Sequence, residues 1–409
     1  MEKISMSELY ELPNGWEWKK LGSLSTTTSG GTPKRNEKSY WNGNIGWLKS
    51  GELNDGYIDK VEELITEEGL KKSSAKLFPK GTLLIAMYGA TVGKLGILDI
   101  ETTTNQAICG ILNDKKMFIT KYMFYFLKSI KEKMLIDSFG GAQPNLSQTY
   151  IKDIDIPLPP LSEQQRIVSK LDLLFEKIDK AIALHQKNID EANVFMGSVL
   201  NDVFGELKIN KTIPLKDITT KIGSGATPSG GQKAYKTEGI SLIRSMNVHD
   251  NGFRIKGLAF IDGEQAKKLD NVTIEENDIL LNITGASVAR CCIVDKDYLP
   301  ARVNQHVSIL RLKDGMIPSF LHYYLISPSI KSDLLFSSSG GATREAITKS
   351  MLEEFQVPVV SLSIQQKTVK YLNEISQKIE KVKSVQKEKM ANLKALKASI
   401  LDSAFRGAL

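Results

Sequence analysis

Apolar residues recur at helical spacing through two long stretches of the chain. In the first stretch they are Ile167, Leu171, Leu174, Ile178, Ala181, Ile189, Ala192, Met196, Val199 and Val203. In the second stretch they are Val369, Leu372, Ile379, Val382, Leu393, Leu396 and Ile400. The spacing approximates a heptad repeat, and His185 fills a gap in the first stripe. The pattern predicts two amphipathic helices of about 43 residues, each spanning roughly 65 Å.

Each predicted helix has a start signal. Ser162 precedes Gln165 by three residues, and Ser363 precedes Gln366 in the same way. A serine at the N-cap and a glutamine three residues later form a capping box. The two helices are therefore predicted to begin directly after these serines.

The regions before the two helices have a different pattern. Short apolar runs such as 82–88 and 279–283 alternate with glycines and polar turns, which is typical of strands. One amphipathic helix is predicted near 120–136 and another near 318–335. Each long helix is therefore predicted to follow a mixed α/β domain.

The two halves of the chain repeat each other. Residues 156–180 and 357–381 share 10 identities in 25 ungapped positions. Upstream echoes keep their order at an offset of 195 to 201: Thr32-Pro33 and Thr227-Pro228, 89–92 and 285–288, Asn105-Gln106 and Asn304-Gln305, 140–142 and 340–342. A protein built twice on one plan is expected to present two equivalent surfaces, which suits a target with two parts.

These patterns predict an α+β protein: two tandem mixed α/β domains, separated by two long α-helices that pair as an antiparallel coiled coil. The predicted limits are 1–155 for the first domain, 156–207 for the first helix, 208–356 for the second domain and 357–409 for the second helix. Neither helix can bury its stripe against its own small domain, so the stripes are expected to cover each other. Pairing between two chains stays open, so a homodimer is an alternative when partners are absent.

Charge and composition narrow the class of protein. The chain has 409 residues, a formal charge of +7 and a pI of about 8.9, with 41% hydrophobic residues. The length favours two or more domains, and the basic excess is compatible with a polyanionic partner.

Cysteine and histidine usage argues against a disulfide framework or a zinc site. Cys109, Cys291 and Cys292 form no C-x-x-C pair, and the four histidines are scattered. The first residues lack a signal peptide, and no apolar run is long enough to cross a membrane. A reducing cytoplasm is the expected location.

Catalytic motifs are missing from the sequence. Residues 89–95 resemble a phosphate-binding loop, but it is one residue short, and Leu95 stands where a Ser or Thr must hold magnesium. The second copy loses the pattern at Ala289-Arg290, so we interpret both segments as strand turns with a basic residue. The chain also lacks the Asn-Pro-Pro-aromatic tetrapeptide of amino-methyltransferases, a dinucleotide fingerprint and a repeated carboxylate pair.

The order and duplication of these motifs resemble the specificity subunits of type I restriction-modification systems. The resemblance is carried by 12–22, 29–33, 89–94, 105–106, 157–165 and 401–407 and covers essentially the whole chain. The second half departs from the pattern at Gly225-Ala226-Thr227 and at Ala289-Arg290. These departures fall where two halves that read different DNA are expected to differ.

The resemblance implies a DNA-binding subunit that is not itself an enzyme. Such subunits bind a two-part sequence in double-stranded DNA, and each target-recognition domain reads one half-site. The paired helices set the spacing and dock methyltransferase subunits, which restriction/translocase subunits then join. S-adenosylmethionine, ATP and magnesium are expected only on those partners, so this chain is expected to hold no cofactor.

Candidate DNA contacts follow from side-chain chemistry, because Lys and Arg suit phosphates and guanine whereas Asn and Gln suit adenine. In the first half they are Thr32, Lys34, Arg35, Lys38, Tyr40, Tyr88, Thr91, Lys94, Asn105, Gln106, Gln143 and Asn145. In the second half they are Thr227, Lys233, Tyr235, Thr284, Ser287, Arg290, Arg302, Asn304, Gln305, His306, Thr343 and Arg344. The group from Arg302 to His306 is the densest set of potential donors to bases.

Other interpretations of these residues stay open. The lysines can be solvated surface residues, the Thr-Pro pairs structural turns, and the Asn-Gln pairs partners of their own backbone. For the whole chain, the alternatives are a duplicated coiled-coil scaffold without DNA specificity and a methyltransferase with a fused recognition region. The basic loops at matching positions argue against the first, and the missing motifs argue against the second.

Overall fold

The computed structural model describes residues 9–138, 145–207, 211–228, 230–336 and 346–409. They belong to two compact units: unit 1 (Met1–Leu184 with Glu388–Leu409) and unit 2 (His185–Lys387). Each unit combines one copy of the repeat with part of both long helices. The segment limits predicted from the sequence follow the repeat instead, and they stay a prediction.

Unit 1 has a mixed α/β architecture. Its strands are β1 (Glu17–Lys20), β2 (Thr26–Ser29), β3 (Trp41–Leu48), β4 (Gly56–Ile58), β5 (Glu63–Ile65), β6 (Leu77–Phe78), β7 (Leu83–Ala86), β8 (Leu95–Leu98), β9 (Thr102–Thr104), β10 (Ile108–Leu112) and β11 (Asp155–Leu158). Its shorter helices are α1 (Leu21–Leu24), α2 (Glu67–Lys71), α3 (Thr120–Ser129), α4 (Lys131–Ser138) and α5 (Gln148–Lys152), and the long helix α6 (Leu161–Leu207) begins here. The strands form sheets of five (β2-β10-β7-β8-β4), four (β5-β3-β9-β6) and two (β1-β11) strands.

Unit 2 repeats this plan. Its strands are β12 (Thr212–Pro214), β13 (Thr219–Ser224), β14 (Ile240–Ile243), β15 (Val248–His249), β16 (Gly252–Phe253), β17 (Ala259–Ile261), β18 (Thr273–Ile274), β19 (Ile279–Asn282), β20 (Cys291–Ile293), β21 (Ala301–Val303), β22 (Val307–Leu312) and β23 (Gln356–Pro358). Its helices are α7 (Leu215–Ile218), α8 (Gly263–Lys267), α9 (Pro318–Ile326), α10 (Pro328–Phe336) and α11 (Lys349–Glu354), and the long helix α12 (Leu362–Phe405) begins here. The main sheets have the orders β13-β22-β19-β20 and β17-β14-β21-β18, beside the pairs β12-β23 and β15-β16.

The short apolar runs are strands covered on both faces. In β7, Leu83 and Ile85 belong to the core that also contains α3, whereas Leu84 and Ala86 face a second core. Strand β19 does the same, because Ile279 and Leu281 face one core and the intervening Leu280 faces another. Successive side chains of a strand point to opposite faces, so a continuous apolar run is needed where both faces are buried.

Both amphipathic helices predicted in the domains are broken in two. Helix α3 ends at Ser129 and α4 begins at Lys131, while α9 and α10 are separated by Ser327. In the second case Pro328 explains the break, because proline lacks an N–H and cannot continue a helix.

The two long helices are confirmed, with 47 residues in α6 and 44 in α12. Their predicted N-caps are wrong. Ser162 is already the second residue of α6, and Ser363 is the second residue of α12. The carbonyl of Pro160 accepts the first helical amides of α6, and the hydroxyl of Ser361 accepts the amide of Ile364 at 3.4 Å.

The antiparallel pairing is visible within unit 1. The ammonium of Lys397 on α12 lies 2.7 Å from Asp179 on α6, while Arg166 at the start of α6 donates to the carbonyl of Leu409, just beyond the end of α12 (2.8 Å). Residue numbers that rise along α6 thus meet numbers that fall along α12. In unit 2, His185 of α6 lies 2.5 Å from Gln386 of α12.

The predicted apolar stripe is partly wrong. Val382 and Leu396 are 45% and 48% exposed. Phe175 and Leu200, which the heptad pattern omitted, are buried. On α12 the buried face includes long polar side chains, among them Lys383, of which only 13% is exposed.

Three further features concern expectations from the sequence. Cys109, Cys291 and Cys292 are buried free thiols, and burial raises the pKa of Cys109 and Cys292 to about 12. Within the part of the chain that the structure describes, no helix has the length and apolar character needed to cross a membrane. The same residues contain no cluster of His, Cys, Asp or Glu that could hold a metal ion.

Candidate nucleic-acid interface

The repeated motifs of the first half meet at one end of the five-stranded sheet of unit 1. Strand β2 leads into Gly30, whose amide donates to the carbonyl of Ile108 at the start of β10 (3.2 Å). The amide of Met87, directly after β7, donates to the carbonyl of Ala107 (2.7 Å). The loops after β2 and β7 therefore lie beside the loop before β10. We call residues 30–35, 88–94 and 105–106 the sheet-end surface of unit 1.

Unit 2 brings its copies of the motifs together in the same way. The amide of Gly225, after β13, donates to the carbonyl of Asn304 (3.1 Å). The amide of Ile283, after β19, donates to the carbonyl of His306 before β22 (3.0 Å). We call residues 225–228, 284–290 and 304–306 the sheet-end surface of unit 2.

One hydrogen bond between the repeated motifs is present in both units. The hydroxyl of Thr32 donates to the side-chain oxygen of Gln106, and the hydroxyl of Thr227 donates to that of Gln305. This bond explains why a Thr-Pro and an Asn-Gln sequence recur together. It also fixes the orientation of an exposed glutamine amide on each sheet-end surface.

Two glycines allow the loops to approach this closely. A Cβ atom at Gly30 would overlap the carbonyl oxygen of Thr104, and one at Gly225 would overlap the carbonyl oxygen of Val303. Only a residue without a side chain fits such a crossing of two backbones. The glycine before each Thr-Pro pair is therefore a packing requirement.

The backbone amides of the asparagines in both Asn-Gln pairs bind their own domain, but only Asn304 is also held there through its side chain. The amide of Asn105 donates to the carbonyl of Leu48 (2.9 Å), and the amide of Asn304 donates to that of Ile243 (3.1 Å). The buried side chain of Asn304 accepts the amide of His306 at 3.1 Å. Of each pair, the glutamine is the residue left facing solvent.

Arg302 is a correction to the sequence-based expectation. Only 9% of its side chain is exposed, and its guanidinium lies 2.6 Å from the carboxylate of Asp270. The same group donates to the carbonyl oxygens of Ala266 and Ala301 (both 3.2 Å). Its strand, β21, is flanked by β14 and β18, so the side chain is held inside the domain and is not placed to contact DNA.

Arg35 is also held by its own domain. Its guanidinium pairs with Glu63 and lies 4.0 Å from the ring of Trp41 and 4.5 Å from that of Trp47. The hydrogen bond from Arg35 lowers the pKa of Glu63 below its usual value. A guanidinium that stacks on two indole rings and pairs with a carboxylate is a structural element first. Because 53% of the Arg35 side chain is still exposed, its contact with DNA stays a prediction.

A cationic turn follows the central strand in each unit. In unit 1 it ends at Lys94, whose amide donates to the carbonyl of Thr91 (2.9 Å); in unit 2 it ends at Arg290, whose amide donates to that of Ser287 (3.2 Å). Both cationic side chains are partly exposed, and neither forms an ion pair with any described residue. Each unit thus presents one available cation at the equivalent position of its fold.

The turn is not a phosphate-binding loop. In unit 1 the segment forms a single 3₁₀ turn (Gly89–Thr91) and then enters strand β8. A phosphate-binding loop instead opens a helix, whose N-terminus faces the phosphates. The interpretation as a strand turn with a basic residue is confirmed.

The remaining predicted residues occupy several environments. Lys34, Lys38 and Lys233 are exposed, Tyr88 is 40% exposed, and Tyr40 and Tyr235 are half-buried. The backbone of Asn145 pairs with that of Tyr88, the hydroxyl of Thr284 contacts His306 Nδ1, and the hydroxyl of Ser287 accepts from Asn282. Gln143, Thr343 and Arg344 lie outside the described residues, as do the glycine pairs at 140–141 and 340–341.

Two cations that neighbour the sheet-end surfaces were missed from the sequence. Lys49 follows Leu48 at the end of β3, and Arg244 follows Ile243 at the end of β14. Lys49 pairs with Glu62 (2.9 Å) and Glu63 (3.1 Å), while Arg244 lies 5.2 Å from the ring of Tyr235. The sequence did contain a signal for them: a Lys-Ser pair and an Arg-Ser pair, each after an apolar run. These two pairs are separated by the same number of positions as the two Thr-Pro pairs.

The chain is similar to a known family along most of its length. The sequence profile of the type I restriction modification DNA specificity domain matches residues 13–193 and again residues 209–389. The MjaIX specificity subunit from Methanocaldococcus jannaschii is 26% identical over 344 residues, which cover 78% of this chain and 77% of the relative. The EcoBI specificity subunit from Escherichia coli is 24% identical over 433 residues, covering 100% of this chain and 86% of the relative.

Solved structures share the fold. A chain from a study of complex assembly in a type I restriction-modification system has a TM-score of 0.72 at 22% identity, covering 98% of this chain and 100% of that chain. The HsdS subunit from Thermoanaerobacter tengcongensis has a TM-score of 0.51 at 22% identity, covering 98% and 99% of the two chains. The predicted arrangement of two tandem mixed domains with two long helices is confirmed.

Proposed function

The chain belongs to the type I restriction-modification DNA specificity family, and on this premise we propose that each unit reads one half of a two-part DNA target through its sheet-end surface. It is a specificity subunit, a component of a restriction-modification complex and not an enzyme in its own right. The proposal concerns which surface touches DNA and how the two units share the target.

The observation that carries the proposal is the duplication of one polar arrangement. Both units hold a Thr–Gln hydrogen bond beside a turn that ends in an available cation, Lys94 or Arg290. A cation can bind a phosphate or a guanine, and an oriented glutamine amide can contact a base edge. Two copies with different side chains suit two half-sites of different sequence.

The side chains divide into two proposed groups. Lys34, Lys38 and Lys233 are exposed and unpaired among the described residues, so they are assigned to phosphates, which position a protein on DNA. Gln106 and Gln305 are assigned to base edges. The turn of unit 1, which contains Tyr88 and Thr91, and the turn of unit 2, which contains Thr284 and Ser287, are assigned to base edges as well. Arg302 and Asn304 are not assigned to DNA, because contacts within their own domain hold their buried side chains.

Partners complete the proposed activity. The exposed apolar side chains on the long helices, such as Val194 (74% exposed) and Phe195 (55% exposed), are suited to docking methyltransferase subunits. Restriction/translocase subunits would join that assembly. S-adenosylmethionine, ATP and magnesium are assigned to those subunits, and the purified chain is expected to turn over none of them.

An exchange of one half tests the proposal. Residues 213–355 are replaced by the same region of a relative with a different target, and the chimera is expressed with its methyltransferase subunits. Mapping the methylated sites should show one half of the target changed and the other half retained. A change in both halves, or in neither, would sink the assignment of one half-site to each unit.

A further inference from the structure

A half-buried aspartate binds the backbone of the residue that follows the cationic turn of unit 1. One carboxylate oxygen of Asp55 accepts the backbone amide of Leu95 at 2.9 Å, and the other lies 3.0 Å from the ammonium of Lys131 in α4. Burial works to raise the pKa of Asp55, but the hydrogen bonds from these two partners outweigh it and hold the pKa below its usual value.

Unit 2 contains the same arrangement with different neighbours. One oxygen of Asp250 accepts the amide of Cys291 at 3.1 Å, and the other lies 2.5 Å from the ammonium of Lys331 in α10. Asp250 follows Asp55 by 195 positions, the same offset as the Thr-Pro pairs. The side chain that follows the turn has changed from Leu95 to Cys291, yet the bond to its backbone amide is retained.

The position of the hydrogen bond to each aspartate indicates its effect on the cationic turn. Leu95 directly follows Lys94, and Cys291 directly follows Arg290. The amide of each cation is bonded to the turn itself, to the carbonyl of Thr91 or Ser287. The aspartate holds the next amide, so the backbone is fixed on both sides of the cation's Cα.

The lysine partners matter for the charge at the surface. A free carboxylate beside the turn would compete with DNA for the cation and would repel a DNA phosphate. In unit 1 the ammonium of Lys131 occupies the second oxygen of Asp55, and in unit 2 Lys331 does the same for Asp250. The charge of Lys94 or Arg290 is therefore left without a competing anion.

We propose that Asp55 and Asp250 are positioning residues, each of which fixes a cationic turn and thereby sets the contact of Lys94 or Arg290 with DNA in one half-site. The inference rests on the proposed function of the sheet-end surfaces. It adds a pair of residues that never touch DNA but act on it through a neighbouring backbone amide.

A double-mutant cycle tests the role of Asp55. The variants D55A, K94Q and D55A/K94Q are assembled with the methyltransferase subunits, and their affinity for a duplex carrying the mapped target is measured at several salt concentrations. K94Q should weaken binding roughly three- to tenfold and lower the salt slope by about one. D55A should weaken binding similarly, although it removes a negative charge and would by charge alone strengthen it. The double variant should bind no more weakly than K94Q, because Asp55 acts through Lys94.

Two controls separate positioning from folding. Asparagine can still accept the amide of Leu95, so D55N should bind better than D55A even where both lose thermal stability. Asp59 is exposed, and D59A removes the same charge without touching the turn, so it should not weaken binding. D250A should lower discrimination only in the other half-site.

The outcomes distinguish the two levels of the proposal. If D55A weakens binding as much with Lys94 replaced as with it present, the positioning role is overturned while the surface stands. If D55N binds DNA as weakly as D55A, the hydrogen bond from the amide of Leu95 does not position the cation, and the inference is overturned. If K94Q itself leaves affinity and salt slope unchanged, the proposed DNA surface fails, and the inference fails with it.

Discussion

Two adjacent glutamines at the start of each long helix have opposite environments. Gln164 is fully buried: its side-chain oxygen accepts the amide of Ile119 (2.8 Å), and its nitrogen donates to the carbonyl of Pro159 (2.9 Å). Gln365 makes the same contacts with Ile317 (2.8 Å) and Val360 (3.1 Å) in unit 2. A repeated residue pair thus contains one structural anchor and one surface residue.

The variant Q164A should lower the stability of unit 1 by about 2–4 kcal/mol, because it leaves a buried amide and a buried carbonyl without partners. Q165A is the matched control, since Gln165 is exposed on the next position of the same helix, and it should change stability by less than about 0.5 kcal/mol. Urea denaturation of the full chain, followed by hydrogen exchange in unit 1, measures both. Equal effects of the two variants would contradict the anchor role.

Side-chain chemistry read from the sequence predicted the candidate site only in part. The Thr-Pro and Asn-Gln motifs do meet, and the turns with Lys94 and Arg290 are placed as expected. Arg302 and Arg35 carry the same charge as those cations, but Asp270 holds the first, and Glu63 with two indole rings holds the second. Composition tells which groups can bind DNA, whereas the domain's own acids and aromatic rings decide which of them are available.

The ends of the long helices belong to the globular cores. Phe405, near the end of α12, packs edge-to-face on Tyr122 and Phe126 in unit 1, with ring centroids 5.2 Å apart in both pairs. Phe204, near the end of α6, packs on Phe320 (5.5 Å) and Tyr324 (5.4 Å) in unit 2. The heptad pattern predicted the helices but not these contacts, because an apolar residue at a helix end has the same periodicity whether it faces a helix or a domain.

F405A should destabilise unit 1, and F204A should destabilise unit 2, each by about 3–5 kcal/mol, since each leaves a large cavity in a closed core. F195A is the control: Phe195 lies on α6 with 55% of its surface exposed, so its loss should have little effect on stability. Hydrogen exchange resolved by unit measures where protection falls. Loss of protection confined to the helices, with the strands of the unit unaffected, would show that the phenylalanines stabilise only helix pairing.

Over the whole molecule, duplication was the strongest signal in the sequence. It predicted two similar α/β units, and the two family matches over 181 residues each agree with that plan. It did not predict that each unit takes the start of one long helix and the end of the other, as unit 1 does with Gln164 and Phe405. That exchange depends on three-dimensional packing between segments far apart in sequence, which a repeat search cannot detect.

The length of the long helices should set the length of unread DNA between the half-sites. Four residues added between Leu184 and His185, with four more between Lys387 and Glu388, leave the contacts within each unit intact, because both insertions fall at the boundaries of the units. Each helix gains about 6 Å and about 40° beyond a full turn. B-DNA advances about 3.4 Å and about 34° per base pair, so the unread spacer should widen by one or two base pairs while both half-sites stay the same. Mapping methylated sites in cells that carry the double insertion measures the spacer. Full methylation at the original spacing would show that something other than helix length sets this distance, and an insertion in one helix alone should instead misalign the pair and lower stability.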